Sequence, residues 1–207
     1  MNKGTMPGPY PGTRSKSINL NYITMNNENF LLIKVGTLMP KFNLLCGKDD
    51  LRPAMAGVLL TQNNVVATDA HRMAWGLTSE LFDIPEECVI PENFIIPAKA
   101  WAELAKKGAT GMEICEDSVK IFDKNMDYKA FKLIIGMYPN WEAVIPKDEV
   151  SIDKIGLAPK ILRALCEFYP SANMKLTFTG EARAVLIHWM TVDINLNGLI
   201  MPVMLNV

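Results

Sequence analysis

Asn64-Val65-Val66-Ala67-Thr68-Asp69-Ala70-His71-Arg72-Met73-Ala74-Trp75 is an apolar run that turns into a Thr-Asp-Ala-His-Arg cluster and then becomes apolar again. Two chemistries compete for it. Asp69, His71 and Arg72 are residue types that carry proton transfer and anion binding, and on one side of a strand Asp69 and His71 would form a catalytic pair. Alternatively, the cluster shapes a binding surface where a strand ends. The enzyme reading lacks parts, because the only other histidine is His188 and no serine or cysteine stands in a strained turn nearby. Aspartate commonly bonds the backbone just ahead of it, so Asp69 reads as the cap of a local turn. No catalytic residue is assigned.

Composition sets the frame for that stretch. A chain of 207 residues that is 49% hydrophobic buries a substantial core, which excludes a disordered protein. A formal net charge of -1 gives no global basic field, so contact with nucleic acid must come from local clustering. Cys46, Cys88, Cys115 and Cys166 form no C-x-x-C pair and read as small buried residues in a reducing compartment; no metal site or cofactor is expected. With no secretory leader and no long apolar span in the sequence, the expected location is cytoplasmic. Residues 1–29, with Met6-Pro7-Gly8-Pro9-Tyr10-Pro11-Gly12, read as a flexible tail.

From Phe30 onward the chain repeats itself. Three times a short apolar strand leads into a proline, an amphipathic helix of about three turns, and then a set of strands. The prolines are Pro40, Pro97 and Pro159. Leu38, Phe42, Leu45 and Cys46 mark the first helix, stopped by Gly47; Trp101, Leu104 and Ala105 mark the second, stopped by Gly108; Ile161, Leu162, Leu165, Phe168 and Tyr169 mark the third, closed by Pro170. Strands are expected over residues 55–61 and 65–77, over 112–115, 119–122 and 128–135, and over 174–179, 184–190 and 196–204. Each unit reads βαβββ, an α+β arrangement in which antiparallel strands bury one face against a helix. The units divide the chain into 30–146, a complete two-unit domain, and 147–207, a third unit.

Charge follows this pattern. Lys41 and Lys48 flank the first helix, Lys99, Lys106 and Lys107 mark the second, and Lys160 and Arg163 mark the third, while acidic residues gather in the turns. Such lysines are either solvated and paired along the helix or form a basic layer for a phosphate backbone.

Leu51-Arg52-Pro53-Ala54-Met55-Ala56-Gly57-Val58-Leu59-Leu60, followed by Val65 to Ala74, resembles the second domain of the bacterial DNA polymerase III β subunit, the sliding clamp. Phe94 to Ala100, Tyr138 to Pro146 and Leu199 to Leu205 resemble, in order, the clamp's strand-to-helix entry, the link between its second and third domains, and its C-terminal strand. The resemblance implies a DNA-clamp fold, with one complete clamp domain and the latter half of a third. It implies a non-catalytic processivity factor that encircles or lies along duplex DNA and tethers a polymerase or clamp loader through a hydrophobic peptide pocket. Carried over, that pocket comprises Met55, Thr68, Ala70, His71, Arg72, Met73, Pro146, Leu199, Met201, Pro202 and Val203, with Ala182 and Ala184 contributing from a hairpin. The DNA-facing residues would be Lys41, Lys48, Arg52, Lys99, Lys106, Lys107, Lys160 and Arg163.

The chain also departs from the clamp pattern. The first clamp domain has no counterpart, Ala70 stands where the family has glycine, and Met204 where it often has arginine. A third unit without a partner would expose a helix face and a sheet edge, which predicts self-association: two chains would supply three domains, and four a full ring. A compact chain whose third unit folds on the first two is the alternative. In function, the alternative is a clamp-derived adaptor or decoy that binds replication-protein peptides without encircling DNA.

Overall fold

The computed structural model describes residues 29–48 and 51–204. The N-terminal tail and the last three positions lie outside the described residues. Twelve strands lie in two antiparallel sheets among the described residues. The first unit contributes β1 (Phe30–Ile33), β2 (Gly57–Leu60), β3 (Asn64–Thr68) and β4 (Arg72–Leu77), and after a one-turn helix α1 (Thr78–Leu81) the two-residue β5 (Phe82–Asp83). The second contributes β6 (Phe94–Pro97), helix α2 (Ala98–Leu104), β7 (Ala109–Ile114), β8 (Ser118–Asp123) and β9 (Tyr128–Lys132). The third contributes helix α3 (Pro159–Phe168), β10 (Asn173–Thr177), β11 (Val185–Met190) and β12 (Leu196–Ile200).

Leading strands cross over. β1 joins the second unit's strands in the order β5-β1-β7-β8-β9, while β6 joins the first unit's strands in β10-β11-β12-β4-β3-β2-β6. Neither of the first two units can therefore complete its own sheet alone.

The third unit extends the larger sheet. β12 pairs antiparallel with β4, from Leu196 opposite Gly76 to Ile200 opposite Arg72. Gly198 makes this approach possible, since a Cβ there would meet the Met73 carbonyl oxygen at 2.5 Å and the Trp189 ring at 2.8 Å. Behind the sheet, aromatic rings run through all three units. Phe42 packs edge-on to Trp101 at 5.3 Å and to Phe168 at 4.9 Å, and Phe168 meets Trp189 at 4.7 Å. Each such contact stabilises by about 0.5–1.5 kcal/mol beyond the area it buries. Glu80 adds a polar tie, accepting hydrogen bonds from Asn195 N and Nδ2 at 2.6 Å each. The third unit thus folds on the first two, which corrects the expectation of an unpartnered helix face, while β10 remains at the edge of the larger sheet.

Helices are shorter than the sequence pattern predicts. The first is a single 3-10 turn, Phe42–Leu45. Between Pro40 and Gly47 there is too little chain to repay helix nucleation, and tertiary bonds take the backbone groups instead: Lys41 N donates to Phe168 O at 3.0 Å, and Trp101 Nε1 to Pro40 O at 2.8 Å. The predicted strand over residues 65–77 is broken in two by a turn at 69–71. Pro202 lacks an N–H and ends β12 at Ile200. The short apolar strand expected to lead into Pro159 is reduced to one bridge, Gly156 opposite Val203. Cys46 and Cys88 are buried as expected, but Cys115 is only half-buried and Cys166, on α3, is exposed. Among the described residues no helix is long and apolar enough to cross a membrane.

Candidate functional site

The strand register determines which side chains share a surface. Paired residues of an antiparallel sheet point to the same face, and Thr68, Met73, Leu199 and Leu186 are successive partners across β3, β4, β12 and β11. Val66, Trp75, Asn197 and His188 form the next row on that face. The alternate residues, among them Val65, Ala67, Ala74 and Ile187, point into the main core with the helices. A second, smaller core of Leu59, Val66, Met73, Ile95, Tyr138 and Leu199 lies on the face away from the helices.

The connecting segment after β9 walls this outer face. Tyr138 is buried and its hydroxyl donates to Val66 O at 3.4 Å, while burial pushes its phenol above the ordinary range. Trp141 tilts against Trp75 with ring centroids 5.9 Å apart. A 3-10 turn at Glu142–Val144 then carries the chain to Pro146. Between wall and sheet lies an open groove of about 550 Å³ lined by Met55, Thr68, Ala70, Met73, Pro146, Ala182, Ala184, Leu199 and Met201. Pro139, Asn140, Trp141, Ala143, Val144 and Ile145 of the link line it too, as do Arg52 and Arg183. The link was visible in sequence as a matching segment, but only Pro146 was assigned from it, because an irregular segment has no period to show which side faces the cavity.

Asp69 to Arg72 form the turn at the groove's end. Asp69 Oδ1 accepts hydrogen bonds from His71 N and Arg72 N, both at 3.0 Å, and Asp69 N donates to Arg72 O at 3.3 Å. Asp69 and His71 therefore stand in a turn and not on one side of a strand. Ala70 adopts φ 72°, a left-handed backbone that suits glycine.

Arg72 and His71 leave the groove. The Arg72 side chain points inward, with Nη2 donating to Leu44 O at 3.1 Å and Nη1 to Ile161 O at 3.4 Å; it ties the turn to the 3-10 segment and to α3. His71 is exposed and lines a neighbouring polar cleft with Asp69, Arg72, Lys48 and Arg52. Its carbonyl accepts Met201 N at 2.8 Å, which fixes the C-terminal segment against the turn. Pro202 and Val203 do not line the groove either; Val203 N donates to Gly156 O at 2.9 Å.

The basic residues divide between two places. Lys99, Lys160 and Arg163 are exposed on α2 and α3, Lys106 and Lys107 just past the end of α2, and Lys41 beside the 3-10 turn that both helices contact. Part of this charge is compensated: Glu103 accepts Lys106 at 2.7 Å and Lys129 at 2.9 Å, and those cations hold its carboxyl below the ordinary range. Arg163 pairs with Glu167 at 2.8 Å. Arg52, grouped with them in sequence, instead lines the groove. Among the described residues no cluster of three or more His, Cys, Asp or Glu is placed to hold a metal.

Exchanged leading strands, helices on one face of the sheets and an apolar groove on the other define the sliding-clamp fold. Solved structures that share it include bacterial DNA polymerase III β clamps. The Bacillus subtilis sliding clamp superposes with a TM-score of 0.61 at 19% identity, covering 85% of this chain and 64% of that one. The β chain from Streptococcus pneumoniae gives 0.64 at 15%, covering 86% and 65%, and the Helicobacter pylori β clamp bound to a DNA ligase peptide gives 0.64 at 14%, covering 86% and 66%. The chain thus spans about two thirds of the clamp chains it resembles. No protein-family model and no curated protein matches the sequence.

Proposed function

We propose that this chain is a non-catalytic, clamp-like replication factor that takes an extended partner peptide in the groove on the outer face of its larger sheet. The observation that carries this reading is the floor formed by Thr68, Met73 and Leu199, on three neighbouring strands and walled by the Pro139–Pro146 link. Flexible thioethers from Met55, Met73 and Met201 mould to apolar anchors, while the Asn140 side-chain amide supplies a polar contact that sets direction. The Helicobacter pylori clamp binds a DNA ligase peptide, and a polymerase or clamp loader is the partner class proposed here. The lysines of α2 and α3, on the opposite side of the sheet, would face duplex DNA, and a cytoplasmic location alongside the replication machinery is part of the same proposal.

One observation favours the adaptor as a second reading. The third unit is satisfied within its own chain, so packing alone does not drive ring assembly. A fluorescent apolar peptide titrated by anisotropy tests the groove: Met201→Ala and Pro146→Ala should each weaken binding by about 3- to 10-fold, and full affinity in both would remove the assignment. Retention on closed circular DNA, lost when the circle is cut, separates clamp from adaptor.

A further inference from the structure

We infer that the segment bound in this groove is acidic, a run of apolar anchors flanked by carboxylates. The inference rests on the peptide-groove reading above and names the chemistry of the occupant. Two cations, Arg52 and Arg183, line the groove and no aspartate or glutamate does. Glu142 and Glu181 stand close by in sequence, yet neither lines it. Both arginines are exposed, and among the described residues neither forms an ion pair.

Register places the two cations at opposite ends. Arg52 precedes the 3-10 turn Pro53–Ala56 that leads into β2, and Arg183 stands two residues before β11. Between β2 and β11 lie β3, β4 and β12, the strands that carry the apolar floor. Four strand spacings of about 4.8 Å put β2 and β11 roughly 19 Å apart; Arg52 also reaches the cleft at the Asp69 turn, so an extended peptide of at most about six residues meets both cations. A bound segment of that length meets apolar surface at its centre and a guanidinium at each end. Basic segments are disfavoured by the same charges. The chain's own first residues carry Lys3, Arg14 and Lys16 and no acid before Glu28, so they are poor occupants. The apolar floor separates a peptide from the other polyanion at hand, nucleic acid, whose backbone offers nothing to fill it.

The test uses the full chain and three end-blocked, fluorescein-labelled peptides that share a Leu-Ala-Leu-Phe core and differ in flanks of Asp, Ser or Lys. At low salt the Asp-flanked peptide should bind about 3- to 10-fold more tightly than the Ser-flanked one, with the Lys-flanked one weakest. In about 0.5 M salt that ratio should shrink toward one. It should also collapse in Arg52→Gln/Arg183→Gln, with near-UV circular dichroism unchanged to show that the variant is folded. A Ser-flanked peptide with a free C-terminal carboxylate, set against its amide, shows whether a chain end supplies the charge as well as a side chain. Equal affinity of the Asp and Ser peptides, or a ratio that survives in the double variant, overturns the inference while leaving the groove standing. Displacement of the Asp peptide by a single-stranded oligonucleotide assigns the arginines to phosphate and also overturns it. If no peptide binds, the groove reading falls, and the inference with it.

Discussion

Asp69 Oδ2 stands 3.1 Å from Arg72 Nε as an ion pair, while Arg72 Nη2 and Nη1 donate hydrogen bonds to the 3-10 segment and to helix α3. Both side chains are mostly buried, at 18% and 14% exposure. The pair therefore links the groove's edge to the packing of the third unit, and a change at either residue is felt at both places.

Removing the guanidinium leaves the Asp69 carboxylate and two carbonyls without it. Arg72→Met should destabilise the fold by about 2–4 kcal/mol, read as a lower urea midpoint. A loss below about 0.5 kcal/mol, the range of ordinary surface substitutions, would show that the pair is incidental.

Ala70 carries a positive φ without the freedom of glycine. Ala70→Gly should stabilise by roughly 0.5–1 kcal/mol, the relief of left-handed strain exceeding the added unfolded-state entropy. Thermal melts of the two proteins measure it directly, and a lower midpoint in the variant would mean the turn is not strained.

Gly198 lies where β12 meets β4, and any Cβ there collides with backbone at Met73 and with the Trp189 ring. Gly198→Ala should cost about 2 kcal/mol or more through overpacking and should weaken groove binding, since Met73 and Leu199 pair across the same junction. If peptide affinity is unchanged in folded variant, the junction does not set the floor.

Burial, reinforced by the nearby Asp69 carboxylate, pushes the Cys46 thiol up to about 12, against a partial offset from Arg72. The unfolded chain ionises this thiol near 9.0, so above that pH it holds fewer protons than the folded one. Stability should fall as pH rises from about 9 toward 12, and in Cys46→Ala that part of the slope should be missing. At neutral pH an aromatic disulfide reagent should modify exposed Cys166 rapidly and Cys46 only on unfolding; prompt reaction at Cys46 would contradict its burial.

The sequence carried more of the fold than of the site. Apolar runs bounded by polar turns along residues 57–60 and 64–77, and the recurring proline-helix pattern, were legible because period and turn chemistry are local properties. The Asp69 turn was legible for the same reason. Met55, Thr68, Ala70, Met73, Leu199 and Met201 were named through resemblance, and the structure brings them together with the Pro139–Ile145 link, whose facing no periodicity encodes.

What the sequence determined by itself is a strand-rich chain of repeated units with a turn at Asp69 and an apolar C-terminal strand. Tertiary structure decided the rest. It turned the first predicted helix into one 3-10 turn, because the stretch between Pro40 and Gly47 is too short to repay nucleation and its first backbone groups are fixed by Phe168 and Trp101. It sent Arg72 inward and Arg52 to the groove, because the direction of a long side chain is settled by the carbonyls within its reach and by the neighbouring strands. And it placed β12 beside β4, since only the close approach at Gly198, across well over a hundred residues of chain, sets Met73 next to Leu199.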